Sequence, residues 1–399
     1  MQTHYALGSI LYVFTAALVS ATLLAKLKQP TLVGFILGGM LIGPHGLQLV
    51  PYQNVEFLAE MGIGLLMFAI GAELSIAQLM RVKGIAIGGG LGTILITTLA
   101  CIALGPLFRW TMPEAFVWGT VIGLSSTVVV LKLLSERGEV GSTYGNISTG
   151  ILLFQDVIAI PLLVLLPILA IGSSANIGES SLTEISWILG KLAAFVTSIF
   201  ILGKYVIPKF LKFVASTHSK ELFSISILAL TIAIAALSHE AGLSLALGAF
   251  LAGLLLSESD FGNQAVSELL PLKDSFSAVF FVSVGMLLDF SYFIEKWPVF
   301  TIGLALIIVM KFFIVLFFCF LFRFPSKISV FVALALAQIG EFGFLVLMAS
   351  KKLSIISDHS YQRLLGISIL SIVATPYILK LYPHVKKAFA FMNRFSWIG

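Results

Sequence analysis

ILLFQDVIAIPLL, residues 151–163, reads as lipid-buried helix at every position but one. Ile, Leu, Phe, Val and Ala are at home in hydrocarbon, and membrane helices tolerate a proline such as Pro161. Asp156 is the exception. A carboxylate near a bilayer centre costs about 2.5–3.5 kcal/mol on insertion scales. Gln155, also polar, stands beside it. A span that keeps such a pair needs a reason for it.

The rest of the chain is built from runs of the same kind. Its 399 residues are 59% hydrophobic and only 11% charged, with a mean hydropathy of +1.06. A soluble domain carries about 25% charged residues. Apolar runs recur from end to end, each near the roughly 20 residues that cross about 30 Å of hydrocarbon as helix. The expected spans lie near 6–27, 31–48, 54–77, 84–107, 114–134, 146–171, 186–211, 221–237, 241–257, 272–289, 298–322, 327–350 and 361–381. The class is therefore an all-α polytopic membrane protein of about thirteen transmembrane helices. The first run, from Tyr5, has no basic n-region and no small-residue cleavage site, so it reads as a retained helix. A pI near 9.1 does not imply nucleic acid, because the basic residues punctuate the spans instead of forming a soluble face. Cys101 and Cys319 sit in apolar segments and make no disulfide framework. No CxxC, HExxH, Walker loop or GxSxG occurs. Neither an enzyme nor a cofactor is expected.

Alternate connections differ in charge. One set carries Lys26, Lys28, Arg81, Lys132, Arg137 and the lysines from Lys204 to Lys220, then Arg323, Lys327 and a basic tail through Arg394. The other holds only Arg109, Lys191, Lys296, Lys351, Lys352 and Arg363. The positive-inside rule places the richer set in the cytoplasm. The N-terminus is then outside and the C-terminus inside, which requires an odd number of spans.

The chain also resembles itself. LVGFILGGMLIGP (32–44) echoes LSLALGAFLAGLLL (243–256), and LLMFAIGAELS (65–75) echoes AVFFVSVGMLLDFS (278–291). Both pairs lie an odd number of spans apart, so the copies cross the membrane in opposite senses. That is an inverted repeat, a construction common in secondary transporters. One copy runs over about 6–171 and the other over about 221–381, with a linking helix near 186–211.

The same offset brings GLSSTVVV (123–130) opposite AQIGEFGF (337–344). Glycines and small hydroxylated residues let a helix break in mid-membrane where the freed backbone lines a cavity. Two such breaks at equivalent positions would cross at a central site, where freed carbonyls help to hold a cation. Lysine or carboxylate side chains would offset the helix-end dipoles. Ser125, Ser126 and Thr127 come from the first break, Gln338 and Glu341 from the second, Gln155 and Asp156 from the opening stretch. Lys311 stands too deep in IIVMKFFIVLF to snorkel easily, so a carboxylate partner is expected, Asp156 or Glu341. Glu258, Asp260 and Asp289 lie at span ends and read as interfacial. His239–Glu240 reads as a solvated pair in a short outer loop, with no metal-ligand partner at helical spacing.

With these residues in place, the chain resembles the monovalent cation:proton antiporter-2 family, most nearly the membrane domain of Kef-type potassium efflux systems. The resemblance covers nearly the whole chain and rests on FLAEMGIGLLMFAIGAEL (57–74), LSSTVVV (124–130), ILLFQDVIAIPLL (151–163), GLSLALGAFLAGLLL (242–256), FFVSVGMLLDF (280–290), the lysine of MKFF (310–313) and QIGEFGF (338–344). It implies a thirteen-helix antiporter fold with two crossed broken helices, a homodimer in the inner membrane and an elevator-like movement of a core domain. It also implies that Asp156 carries the cation and the proton in turn, and that Glu341 and Lys311 steady the crossed helix ends. The Gln155–Asp156 pair is the Kef-like version and tilts the substrate towards K+; sodium-selective relatives often carry Asp-Asp or Asn-Asp there. The acidic glutathione-linked motif of Kef systems does not match FGNQAVSELLP (261–271), whose single carboxylate is Glu268. Many relatives continue into a cytosolic nucleotide-binding domain. The expectation here is one transmembrane domain over 1–399, with such a domain as a separate or following partner.

The mechanism implied is competition. A proton and a dehydrated K+ or Na+ share one carboxylate, Asp156, and exchange follows if the empty charged carrier crosses poorly. Gln155 would offer its amide oxygen, and oxygens near Ser125, Ser126 and Thr127 would complete the shell. With one carboxylate, exchange is one-for-one. The alternatives are an Na+/H+ antiporter or a cation channel, although no TVGYG-like carbonyl run is present.

Overall fold

Helices dominate the computed structural model, which describes all residues except 1, 28, 74–82, 173–178, 242–243, 258, 260–261 and 390–399. Lys28, Arg81, Glu258, Asp260, Arg394 and the side chain of Glu268 lie outside the described residues. Among those described, eight helical stretches are long and apolar enough to cross a membrane, and shorter apolar helices lie at Thr31–Ile42, Gly62–Ala72, Leu245–Ser257, Ser275–Met286 and Ser326–Ala335. The protein is a multi-pass, all-helical membrane protein.

In chain order the helices are α1 (Gln2–Lys26), α2 (Thr31–Ile42), α3 (Tyr52–Glu73), α4 (Lys83–Phe108), α5 (Met112–Gly123), α6 (Thr127–Glu136), α7 (Thr143–Gly172), α8 (Glu179–Tyr205) and α9 (Ile207–Ala215). The second half continues with α10 (Lys220–Glu240), α11 (Leu245–Ser257), α12 (Gly262–Met286), α13 (Phe290–Glu295), α14 (Trp297–Leu321), α15 (Ser326–Ala335), α16 (Glu341–Lys352), α17 (Asp358–Lys380) and α18 (Tyr382–Ala388). The expected span at 186–211 is thus two helices, because Pro208 cannot continue the hydrogen-bond ladder and instead opens α9. His239 and Glu240 are not in a loop: they form the exposed last turn of α10.

The helices divide into two compact units. The first comprises residues 1–21, 35–75 and 174–287. Lipid offers helices no hydrophobic drive to associate, so close backbone approach must supply the packing. Glycines permit it here. A Cβ at Gly39 would overlap the carbonyl of Val282, and one at Gly285 would overlap that of Ile36, so α2 and α12 meet backbone to backbone. Gly253 meets the Phe68 carbonyl and Gly71 that of Phe250, which joins α11 to α3 in the same way. The residue numbers carry the repeat: 36 and 250, 39 and 253, 68 and 282, 71 and 285 are separated by one constant interval.

Gly253→Ala is therefore expected to destabilise the protein even though alanine is the better helix former by about 1 kcal/mol. Gly190→Ala, where nothing stands within 4 Å of the added atom, should be neutral or stabilising. Thermal melting in detergent checks the contrast: an overpacking loss of about 1–3 kcal/mol at 253 and none at 190.

The second unit comprises residues 22–34, 76–173 and 288–399. Its core gathers around α15, where Val330 to Leu336 are buried against Ile147, Ile151 and Leu152 of α7 and Phe312, Val315 and Cys319 of α14. The constant interval recurs. It relates the starts of α4 and α14, of α5 and α15, and of α6 and α16. It also relates Arg109 and Arg323, which end α4 and α14 with φ of 58° and 62°. After each, the chain donates back five residues, Trp110 N to Gly105 O at 2.9 Å and Phe324 N to Cys319 O at 3.0 Å, the left-handed closure of a helix end.

Candidate ion site

Both expected breaks lie within this second unit. The first separates α5 from α6 at Leu124–Ser126, with Leu124 and Ser126 extended. The second separates α15 from α16 at Leu336–Gly340. Breaking a helix in a dry interior strands amides and carbonyls, each of which needs a partner. Several groups at these breaks are met from a neighbouring element. Gly340 N donates to Leu124 O at 3.0 Å, which ties one break to the other. A Cβ at Gly340 would overlap the Ser125 carbonyl, so this crossing requires glycine. Gln338 reads the backbone of Ser126 from both sides: its Oε1 accepts from Ser126 N at 2.9 Å and its Nε2 donates to Ser126 O at 3.3 Å. Ser125 N donates to Gln155 Oε1 at 3.0 Å, and Ile339 N to Ser371 Oγ at 3.0 Å. Ser126 Oγ caps α6 by accepting from Val129 N at 3.2 Å.

The helix ends are paired by sign. Carbonyl ends carry partial negative charge and amide ends positive. Lys311, fully buried on α14, donates to the carbonyls that close the two first halves: Leu124 O at 3.3 Å and Gln338 O at 2.5 Å. It also donates to Ser125 Oγ at 2.9 Å, and that hydroxyl in turn donates to Leu336 O at 2.9 Å. At the amide ends stands Glu341. It opens α16 and reaches across to accept from Val128 N of α6 at 3.3 Å. The expected carboxylate partner for Lys311 is not what the structure gives. Among the described ion pairs none includes Lys311. The ammonium goes to carbonyls because a broken helix leaves several acceptors pointing at one place.

Asp156 lies on α7 with its side chain 4% exposed. Its Oδ2 accepts from Thr127 Oγ1 at 2.8 Å, and its Oδ1 has no partner. Glu341 likewise keeps Oε2 without a partner. Among the described residues Asp156, Lys311 and Glu341 are the only buried Asp, Glu, Lys or Arg side chains, and all three converge here. The residues expected to surround the ion fare differently. Gln155 spends its amide oxygen on Ser125 N and leaves Nε2, a donor, without a partner. Ser125 and Ser126 spend their hydroxyls on the breaks. Thr127 and Asp156 face each other across the remaining space. Sequence reasoning did not single out Ser371, whose signal is faint: a small hydroxyl in an apolar span one repeat interval, within two residues, from Gln155.

The arrangement has counterparts elsewhere. Residues 13–382 match the family model described as sodium/hydrogen exchanger, transmembrane. The chain is 33% identical over 393 residues to K(+) efflux antiporter 4 of Arabidopsis thaliana, covering 98% of this chain and 66% of that protein. It is 35% identical over 369 residues to the putative cation/proton antiporter YbaL of Escherichia coli K12, covering 92% and 66%. It is 32% identical over 393 residues to the glutathione-regulated potassium-efflux system protein KefC of Salmonella typhi, covering 97% and 62%. The chain thus spans a little under two thirds of the length of these relatives. The fold matches the sodium proton antiporter MjNhaP1 of Methanocaldococcus jannaschii with a TM-score of 0.71 at 17% identity, over 97% of this chain and all of that one. Two broken helices pinned by a buried lysine, a shared antiporter fold and a family match along nearly its whole length lead to one assignment: the chain belongs to the transmembrane sodium/hydrogen exchanger family.

Proposed function

We propose that this chain exchanges a monovalent cation, K+ by preference, for H+ across the membrane, with Asp156 as the shared carrier. The observation that carries the reading is the charge count at the crossing. Glu341 and Lys311 offset one another, and Asp156 is the remaining buried charge. Loaded with a cation or with a proton, the core is neutral; empty, it is a lone negative charge in a dry interior and does not cross. Coupling follows without any further device. The preference for K+ rests on the likeness to proteins named as potassium efflux antiporters and on the Gln155–Asp156 pair. The same reading includes a homodimer, an external N-terminus, a cytoplasmic C-terminus and a cytosolic regulatory partner.

Flux into proteoliposomes tests it. An imposed pH gradient should drive K+ uptake against its own gradient. Na+ uptake in place of K+ would move the substrate, and large unitary currents would make the protein a channel.

The same reading implies a one-for-one stoichiometry. One proton leaves for each cation bound, so no net charge moves per cycle. One uncompensated charge would be worth about 2.3 kcal/mol per 100 mV. At a fixed pH gradient, the cation distribution at equilibrium should be the same with and without an imposed potential. A shift under an inside-negative potential would mean that a second group titrates.

A further inference from the structure

Two carboxylates meet at the start of α6, and the reading above uses only one of them as a ligand. Asp156 is anchored through Oδ2 on the Thr127 hydroxyl at 2.8 Å. Glu341 is anchored through Oε1 on the Val128 amide at 3.3 Å. Thr127 and Val128 are successive residues of one helical turn, so the two carboxylates are tied to neighbouring points. Each leaves its second oxygen, Asp156 Oδ1 and Glu341 Oε2, buried and without a partner. The side chains are 4% and 1% exposed. Buried acceptors are normally satisfied, and two orphaned acceptors on adjacent anchors describe a place for something positive.

The other candidate ligands are engaged. Gln155 has given its oxygen to Ser125 N and keeps a donor free. The Ser125 hydroxyl lies between Lys311 and Leu336 O. The Ser126 hydroxyl caps α6. Lys311, the one buried cation among the described residues, is turned to the carbonyl ends of the broken helices. A dehydrated monovalent cation needs several oxygens to replace its water shell, and the carboxylate oxygens without a partner at the crossing are those of Asp156 and Glu341.

We infer that Glu341 is a direct ligand of the transported cation, which sits between Asp156 Oδ1 and Glu341 Oε2 at the N-terminus of α6. Glu341 keeps its charge throughout the cycle, as the counter-charge of Lys311, while Asp156 exchanges cation for proton. The site then belongs to both repeats: the residue that follows the first break, Thr127, orients one carboxylate, and its repeat mate, Glu341, supplies the other. This rests on the antiport reading above and adds to it a specificity-determining residue.

The test measures K+-dependent exchange in proteoliposomes of the full chain carrying Glu341→Gln or Glu341→Asp. Glutamine keeps an oxygen for Val128 N but loses the charge; aspartate keeps the charge but withdraws it by one methylene. If Glu341 binds the ion, the KM for K+ rises about tenfold or more in Glu341→Gln, by a larger factor than kcat falls. The ratio of K+ to Na+ affinities also changes in Glu341→Asp. A role confined to steadying helix ends would lower thermal stability and leave both the KM and the ion ratio within twofold of the parent, and that outcome overturns the inference. Should neither variant fold, infrared difference spectra of the unaltered protein decide: K+ should shift the stretching bands of two buried carboxylates, and a shift of one alone counts against Glu341. The parent protein separates this from the broader reading. Absence of any exchange in the parent removes the antiport reading itself, whereas exchange in the parent with an unchanged KM in Glu341→Gln removes only the ligand role.

Discussion

Asp156→Asn is expected to reduce proton-coupled cation exchange by about 100-fold or more, to background, and to leave the protein folded. Asparagine is nearly isosteric. Its Oδ1 can still accept from Thr127 Oγ1, so the 2.8 Å contact that positions the side chain survives. What disappears is the charge. The amide neither releases a proton at any working pH nor offsets a dehydrated cation, so both halves of the competition fail together. Stability should move the other way. Asp156 is buried, and among the described residues no ion pair includes it; removing a buried charge that lacks a close counter-ion is often neutral or stabilising. The discriminating result is therefore a pair: transport lost and melting temperature unchanged or raised. Exchange at near-parent rate in purified, folded Asp156→Asn would remove Asp156 from the carrier role. Transport lost together with a collapse in melting temperature would instead make it a structural residue.

The spans were legible because lipid imposes a single demand, and runs of apolar residue meet it in plain view. The breaks were legible too: SST and QIGE put glycine and hydroxyl residues where an unbroken helix has no use for them. Charge depth was readable, so Asp156, Lys311 and Glu341 could be picked out before any geometry. What could not be read was who meets whom. Lys311 is bound to the carbonyls of Leu124 and Gln338 and to the Ser125 hydroxyl. Every residue owns a carbonyl, so sequence gives it no signature, and a lysine beside two deep carboxylates naturally suggests a salt bridge. The backbone task of Gln155 was hidden for the same reason. Its amide looks like an ion ligand beside Asp156, and sequence does not show that its oxygen also accepts from a backbone N–H freed at the break, that of Ser125. The joint between α8 and α9 escaped because both helices are apolar across it, although Pro208 marks the place.

Lys311→Gln is expected to be the most destabilising single change at the crossing, about 3–5 kcal/mol, the usual scale for removing one member of a buried charge set. The side chain is fully buried and its three acceptors are held at 2.5–3.3 Å. Glutamine is one atom shorter and carries one amide group in place of an ammonium. It takes the ammonium away from the Gln338 carbonyl, leaves Leu124 O with the Gly340 amide alone, and leaves a core with two carboxylates and no cation. Some exchange should remain, because Lys311 is not the carrier, but with a shifted pH profile, since the electrostatic environment of Asp156 has changed. A double-mutant cycle separates the two losses. If charge balance matters, adding Glu341→Gln to Lys311→Gln removes an unmatched negative charge, and the double variant should be less destabilised than the sum of the single ones. If Lys311 acted only by satisfying carbonyls, the two losses would simply add. Thermal melting of the four proteins in one detergent gives the coupling. Additive losses would remove the charge count on which the electroneutral cycle stands, while a positive coupling with residual exchange in Lys311→Gln would leave Asp156 as the only group whose charge must change for the protein to turn over.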